Sequence, residues 1–172
     1  MNTIAIAPNK KIKPAIKSVV DGDTLLLNYS GQDFYSRARW IDAPETKKQG
    51  QSSNDPKVLK HWQWAVKSKG FLTDLIIGKT LIVIPYELDQ YNRWLCDWYV
   101  NTVAATNNIQ LQMCLSGMCA YYLPFQFYEF PTNRELNLYL GIVKNCAIAY
   151  KLKSGFWSES MMLPYDFKKL TI

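Results

Sequence analysis

The chain has one histidine, His61, among 172 residues. That scarcity removes a group of mechanisms. Two-histidine acid–base chemistry cannot run inside one copy, and a histidine-activated nucleophile would have to use His61 alone. The residue sits in Lys60-His61-Trp62 at the expected start of a helix. It reads as an ordinary surface histidine and is assigned no role. Long apolar runs are missing as well. Tyr139-Leu140-Gly141-Ile142-Val143 is cut short by Lys144 and Asn145, well under the ~18 residues of a membrane-spanning helix. Met1 to Pro8 lacks a basic stretch followed by an apolar one, so no secretory signal is read. A cytoplasmic location is expected, with secretion the alternative if a signal has been removed. Cysteine is sparse: Cys96, Cys114, Cys119 and Cys146 are irregularly spaced and form no paired C-x-x-C zinc pattern. They read as reduced, mostly buried thiols.

What is present is a core-forming, basic chain. Hydrophobic residues make up 48% and aromatics 14%, which argues against disorder. Lys and Arg exceed Asp and Glu by 20 − 14 = 6, a balance suited to a polyanionic partner. Residues 1–15 are expected to be a lead-in and 16–172 one domain.

Short β-branched and alternating runs predict strands at 16–20, 24–29 and 34–41, then at 80–85 and 93–100. In the third of these, period-two alternation puts Arg37 and Arg39 on one face. Arg39 would then either extend a phosphate path or make a structural ion pair. Helical spacing of Trp64, Phe71, Leu72, Leu75 and Ile76 predicts a helix ending at Gly78. Further helices are expected over 109–119 and 133–153. The order β-β-β-α-β-β-α-α, with short and mainly antiparallel strands, suits a small barrel packed by helices.

Val20-Asp21-Gly22-Asp23-Thr24 lies just ahead of Arg37-Ala38-Arg39-Trp40-Ile41-Asp42-Ala43-Pro44-Glu45-Thr46. Carboxylates attract a hard divalent cation and arginines attract phosphate. Taken singly, Asp-Gly-Asp is a common turn and Asp-Ala-Pro-Glu a capped one. Together they read as a metal-assisted phosphodiester site, with Asp89-Gln90-Tyr91-Asn92-Arg93 adding a distant arginine.

These three motifs, in this order and spacing, resemble the thermonuclease or staphylococcal nuclease family. Gly117 and Gly155-Phe156-Trp157 extend the likeness. The resemblance implies an α+β fold: an OB-fold, five-stranded antiparallel barrel with three packed helices. It implies Ca²⁺-dependent, largely sequence-nonspecific hydrolysis of DNA and RNA, giving 3′-phosphate products; a monomer is expected. Carried over by position, Asp23 and Asp42 match the carboxylate metal ligands, and Ala43 matches a residue giving its main-chain carbonyl. Glu45 matches the carboxylate that activates water, and Arg37 and Arg93 match the phosphate-binding arginines. Tyr91 matches an aromatic beside the bound nucleotide; Tyr121 and Tyr122 lie near another such position. Gln90 stands where the best-known member has lysine. Trp40, Trp94, Trp98 and Trp157 read as core rather than base platforms. The rival class is an OB barrel that grips nucleic acid without hydrolysing it.

Overall fold

The computed structural model describes residues 6–123 and 129–170. An antiparallel meander opens it: β1 (Ala15–Asp21), β2 (Thr24–Tyr29) and β3 (Gln32–Ala38). Leu25 and Leu27, two apart on β2, are both fully buried, as period-two alternation demands. A two-residue strand, β4 (Ile41–Asp42), follows, and then α1 (Pro56–Ile76). Asp55 caps α1 by accepting from the Lys57 N–H at 2.8 Å, and Pro56 fits the first turn because that turn needs no N–H. The remaining elements are β5 (Leu81–Leu88), β6 (Trp94–Val100), α2 (Ile109–Leu115), β7 (Ala120–Tyr121), α3 (Asn133–Lys151) and the short α4 (Pro164–Phe167).

Five strands form one sheet in the order β1-β2-β3-β6-β5, while β4 and β7 pair separately. The mixed α+β class is as expected, but two details differ. The sheet is not wholly antiparallel: β3 and β6 run parallel, with Ser36 opposite Trp94 and Ala38 opposite Cys96. Parallel neighbours need a long crossover, and α1 with β5 supplies it. Nor do the described residues close the sheet with a ladder between its edges, β1 and β5. Ile12, just ahead of β1, does exchange two main-chain hydrogen bonds with Val83 of β5, at 2.9 and 3.0 Å.

The core lies between the sheet and the helices. Leu25, Leu27, Val83 and Trp98 meet Leu72 of α1, Ile109 and Met113 of α2, and Ile142 of α3. Trp98 and Trp40 are both buried, as expected, and the Trp98 indole N–H donates to Ser36 Oγ at 2.8 Å. All four cysteines are buried free thiols. Helix α2 stops at Leu115, short of the expected 119, because Gly117 turns the chain at φ 68°. A side chain there would also strike the Ser154 carbonyl oxygen at 2.1 Å.

The third strand also ends early, at Ala38 rather than Ile41. Trp40 adopts φ 66°, a left-handed conformation, and its ring is held edge-on to Tyr139 at 5.8 Å. The turn carries Arg39 off the face of Arg37 and into the interior. There Nε and Nη2 of Arg39 meet Asp97 at 2.6 and 3.0 Å, and the Tyr86 ring lies 3.4 Å from the guanidinium. Of the two readings open for Arg39, the structure takes the ion pair. Arg39→Ala would leave Asp97 completely buried and without its main partner. Urea denaturation should show a loss of about 3–5 kcal/mol. Arg39→Lys should recover only part of it, since an ammonium cannot make the fork.

Candidate active site

Three segments converge on Arg37. Near the end of β3 its Nη1 donates to Asp23 Oδ1 at 2.7 Å and its Nη2 to Asp42 Oδ1 at 2.8 Å. Asp23 enters from the β1–β2 turn and is 2% exposed; Asp42 comes from β4 and is 1% exposed. The turn comes this close because residue 22 is glycine. A Cβ there would lie 1.9 Å from Ser68 Oγ and 2.8 Å from the Ala43 Cβ. Asp23 Oδ2 accepts from the Ala43 N–H at 2.8 Å, which ties the β1–β2 turn to the Asp42-Ala43-Pro44-Glu45 segment.

Burial opposes ionisation of Asp23, but Arg37 and Lys168 outweigh it and hold the carboxyl below its usual range. Asp42 is pushed up, chiefly by burial and only partly offset by Lys168. Asp21 is raised from 3.8 to about 7, by burial first and then by the neighbouring Asp23 charge. A third carboxyl thus stands beside the pair and keeps a proton near neutrality.

Arg37 and Glu45 line an open groove of about 1210 Å³, together with Tyr91, Arg93, Tyr122 and Lys168. The groove brings together residues more than forty positions apart. Arg93 is not in contact with the acidic cluster; its guanidinium pairs with Asp89 at 2.7 Å. Tyr91 is 69% exposed, with the Arg93 guanidinium 5.3 Å from its ring. Asp23, Asp42 and Ala43 are buried and do not line the groove; Arg37 touches both the groove and the carboxylates.

Two residues escaped the sequence reading. Lys168, just past α4, donates to Asp42 Oδ1 and comes within 3.7 Å of Glu45 Oε1. No motif marks it. His61 is not on the surface but completely buried, with Nε2 accepting from the Glu45 N–H at 2.9 Å. A signal for it existed. His61, Ala65, Ser68, Leu72 and Ile76 recur at helical spacing, and all are buried in α1.

The donor set suits a hard cation. Among the described residues no three His, Cys, Asp or Glu side chains converge as a finished metal site. Yet Asp42 Oδ2 is buried without a hydrogen-bond partner, an arrangement that costs free energy unless a cation or water meets it. An unpaired carboxylate oxygen flanked by a second carboxylate fits a divalent ion that prefers oxygen.

Comparison with known proteins places the chain in a family. The family model described as staphylococcal nuclease homologue matches residues 36–159. A probable endonuclease LCL3 of Komagataella phaffii is 29% identical over 131 residues, covering 76% of this chain and 52% of the relative. A probable endonuclease LCL3 of Debaryomyces hansenii is 24% identical over 159 residues, 91% of this chain and 58% of the relative. An uncharacterised protein of Methanocaldococcus jannaschii, MJ1439, is 26% identical over 122 residues, 63% of this chain and 58% of the relative. The chain thus spans somewhat over half the length of these relatives.

Asp21 makes the site testable without any substrate. Its folded value lies above the unfolded one, so the stability it contributes is complete below about pH 4 and is lost as pH rises toward 7. In chelator, Asp21 should therefore pull wild-type stability down over that interval. Asp21→Asn should flatten the fall and be the more stable protein at pH 8, by on the order of 2 kcal/mol in urea denaturation. Parallel pH profiles for the two proteins would refute the assignment.

Proposed function

The chain belongs to the family of staphylococcal nuclease homologues, and from that premise we propose that it is a Ca²⁺-dependent nuclease of DNA and RNA. In this reading it has little sequence choice, leaves 3′-phosphate ends, acts as a monomer, and forms one domain in which Ile12 and β1 join the expected span 16–172. The sheet and the Ile12–Val83 bridge are read as an OB-type barrel whose seam is that bridge. The observation that carries the proposal is Arg37: one guanidinium grips two buried carboxylates and also faces a groove shared with Glu45 and Arg93.

Asp23 and Asp42 would hold the ion, with the Ala43 carbonyl as third protein donor. Bound there, Ca²⁺ would add positive charge beside a non-bridging phosphate oxygen. Arg37 and Arg93 bind the phosphate and offset the charge that builds as it becomes five-coordinate. Glu45 takes a proton from the attacking water, whose oxygen bonds to phosphorus as the bond to the 5′-oxygen breaks. The 5′-oxygen leaves with a proton from solvent, because a guanidinium gives up its own too reluctantly to serve. Tyr91, exposed at the rim, offers a face for a base to stack upon.

A second reading, a nucleic-acid-binding module without hydrolysis, is favoured by one contact. The Lys168 ammonium already sits on Asp42, where a metal would bring its charge. Cleavage of single-stranded DNA in Ca²⁺ against chelator decides between them. The nuclease reading predicts chelator-sensitive cleavage, lowered ~10²–10³-fold in Glu45→Gln while DNA binding persists. The binding reading predicts retention of DNA without cleavage by either protein.

A further inference from the structure

We infer that His61 is a positioning residue for Glu45, fixing the general base through its main chain. The inference rests on the nuclease reading and adds a residue to that site. The loop that carries Glu45 leaves β4 and joins no further strand before α1. Beside Glu45 its main-chain donors are held by side chains. The Ala43 N–H goes to Asp23 Oδ2, Pro44 has none to give, and the Glu45 N–H goes to His61 Nε2 at 2.9 Å. These two acceptors set where Glu45 stands relative to Asp23.

The proton positions on the imidazole follow from its partners. An amide N–H can only donate, so Nε2 must be unprotonated. A carbonyl oxygen can only accept, and Nδ1 lies 2.8 Å from the Met162 carbonyl oxygen, so Nδ1 carries the hydrogen. Only this neutral tautomer satisfies both neighbours. Complete burial favours the same uncharged form, and it lowers the ring's affinity for a proton. Phe167 stacks on the ring at 3.8 Å and 7°, closing the third side.

His61 therefore links the Glu45 loop to the segment that includes α4. Met162 and Phe167, which hold the ring, lie beyond residue 159, where the family match ends. Lys168, one residue past Phe167, reaches Asp42 and approaches Glu45 from the same segment. Loss of a merely structural histidine would lower stability without a selective effect on kcat. A positioning histidine needs an acceptor at the Nε2 position.

Two variants separate these roles. His61→Gln can place an amide oxygen near Nε2 and so still accept from Glu45. His61→Asn can donate toward Met162 but has no acceptor that far out. We expect His61→Asn to lower kcat on single-stranded DNA by ~10²-fold, the scale of a misplaced catalytic group, with KM little changed. His61→Gln should recover most of that loss. Equal losses in the two variants, or an undiminished kcat in His61→Asn, would overturn the inference. The chain's single histidine also permits a readout independent of cleavage. A long-range ¹H–¹⁵N spectrum shows one imidazole, expected at pH 7 with Nδ1 protonated and Nε2 bare. The opposite tautomer or an imidazolium would overturn the inference whatever the enzyme does. The expected spectrum from a wild-type chain that cleaves nothing would instead locate the failure in the nuclease reading.

Discussion

The arrangement depends on one guanidinium. Asp21, Asp23 and Asp42 would repel one another if gathered without a cation, and burial would raise the cost of charging each. Arg37 answers both problems by donating to Asp23 and Asp42 from one rigid fork. The β1–β2 turn, the end of β3 and the short β4 are thereby locked together. Glycine at 22 allows the approach, since any side chain there would meet Ser68 and Ala43. The Ala43 N–H bond to Asp23 then orients the chain that leads to Glu45. In this account the same contacts that stabilise the corner also prearrange the charges that a phosphodiester would meet.

Much of this was legible in the sequence, and the reasons it was not complete are physical. Asp23, Arg37, Asp42 and Glu45 lie close together along the chain, in stretches punctuated by Gly and Pro, so their meeting follows from local turns. Arg93 is distant, but the β5–β6 hairpin that brings it back has clear strand and turn signals. Arg39 was harder. Alternation assumed that the strand continues, whereas Trp40 takes a left-handed turn that only its tertiary packing explains. The parallel pairing of β3 with β6 is likewise a property of the crossover, which no single strand reveals. His61 was misjudged because its neighbours were read as a helix start. The stripe running back from Ile76 through Leu72, Ser68 and Ala65 places it on the buried face.

The segment after residue 159 supplied what the motifs could not. Met162, Phe167 and Lys168 act on the site through a carbonyl oxygen, a ring face and an ammonium, none of which needs a recognisable pattern. Lys168 matters because it brings positive charge to Asp42 from within the chain. The electrostatic demand that suits the carboxylates to a metal is thus met in part by a side chain. A divalent ion entering here must compete with that ammonium for Asp42 Oδ1, while Oδ2 is left without a partner.

The central claim is that these carboxylates form a divalent-cation site. Calorimetric titration of the chelator-stripped chain with Ca²⁺ tests it without reference to any substrate. The account predicts saturable binding to one site in the wild-type chain and its loss in Asp42→Asn. A folded wild-type chain that takes up no Ca²⁺, or an Asp42→Asn protein that binds it equally well, would contradict the account.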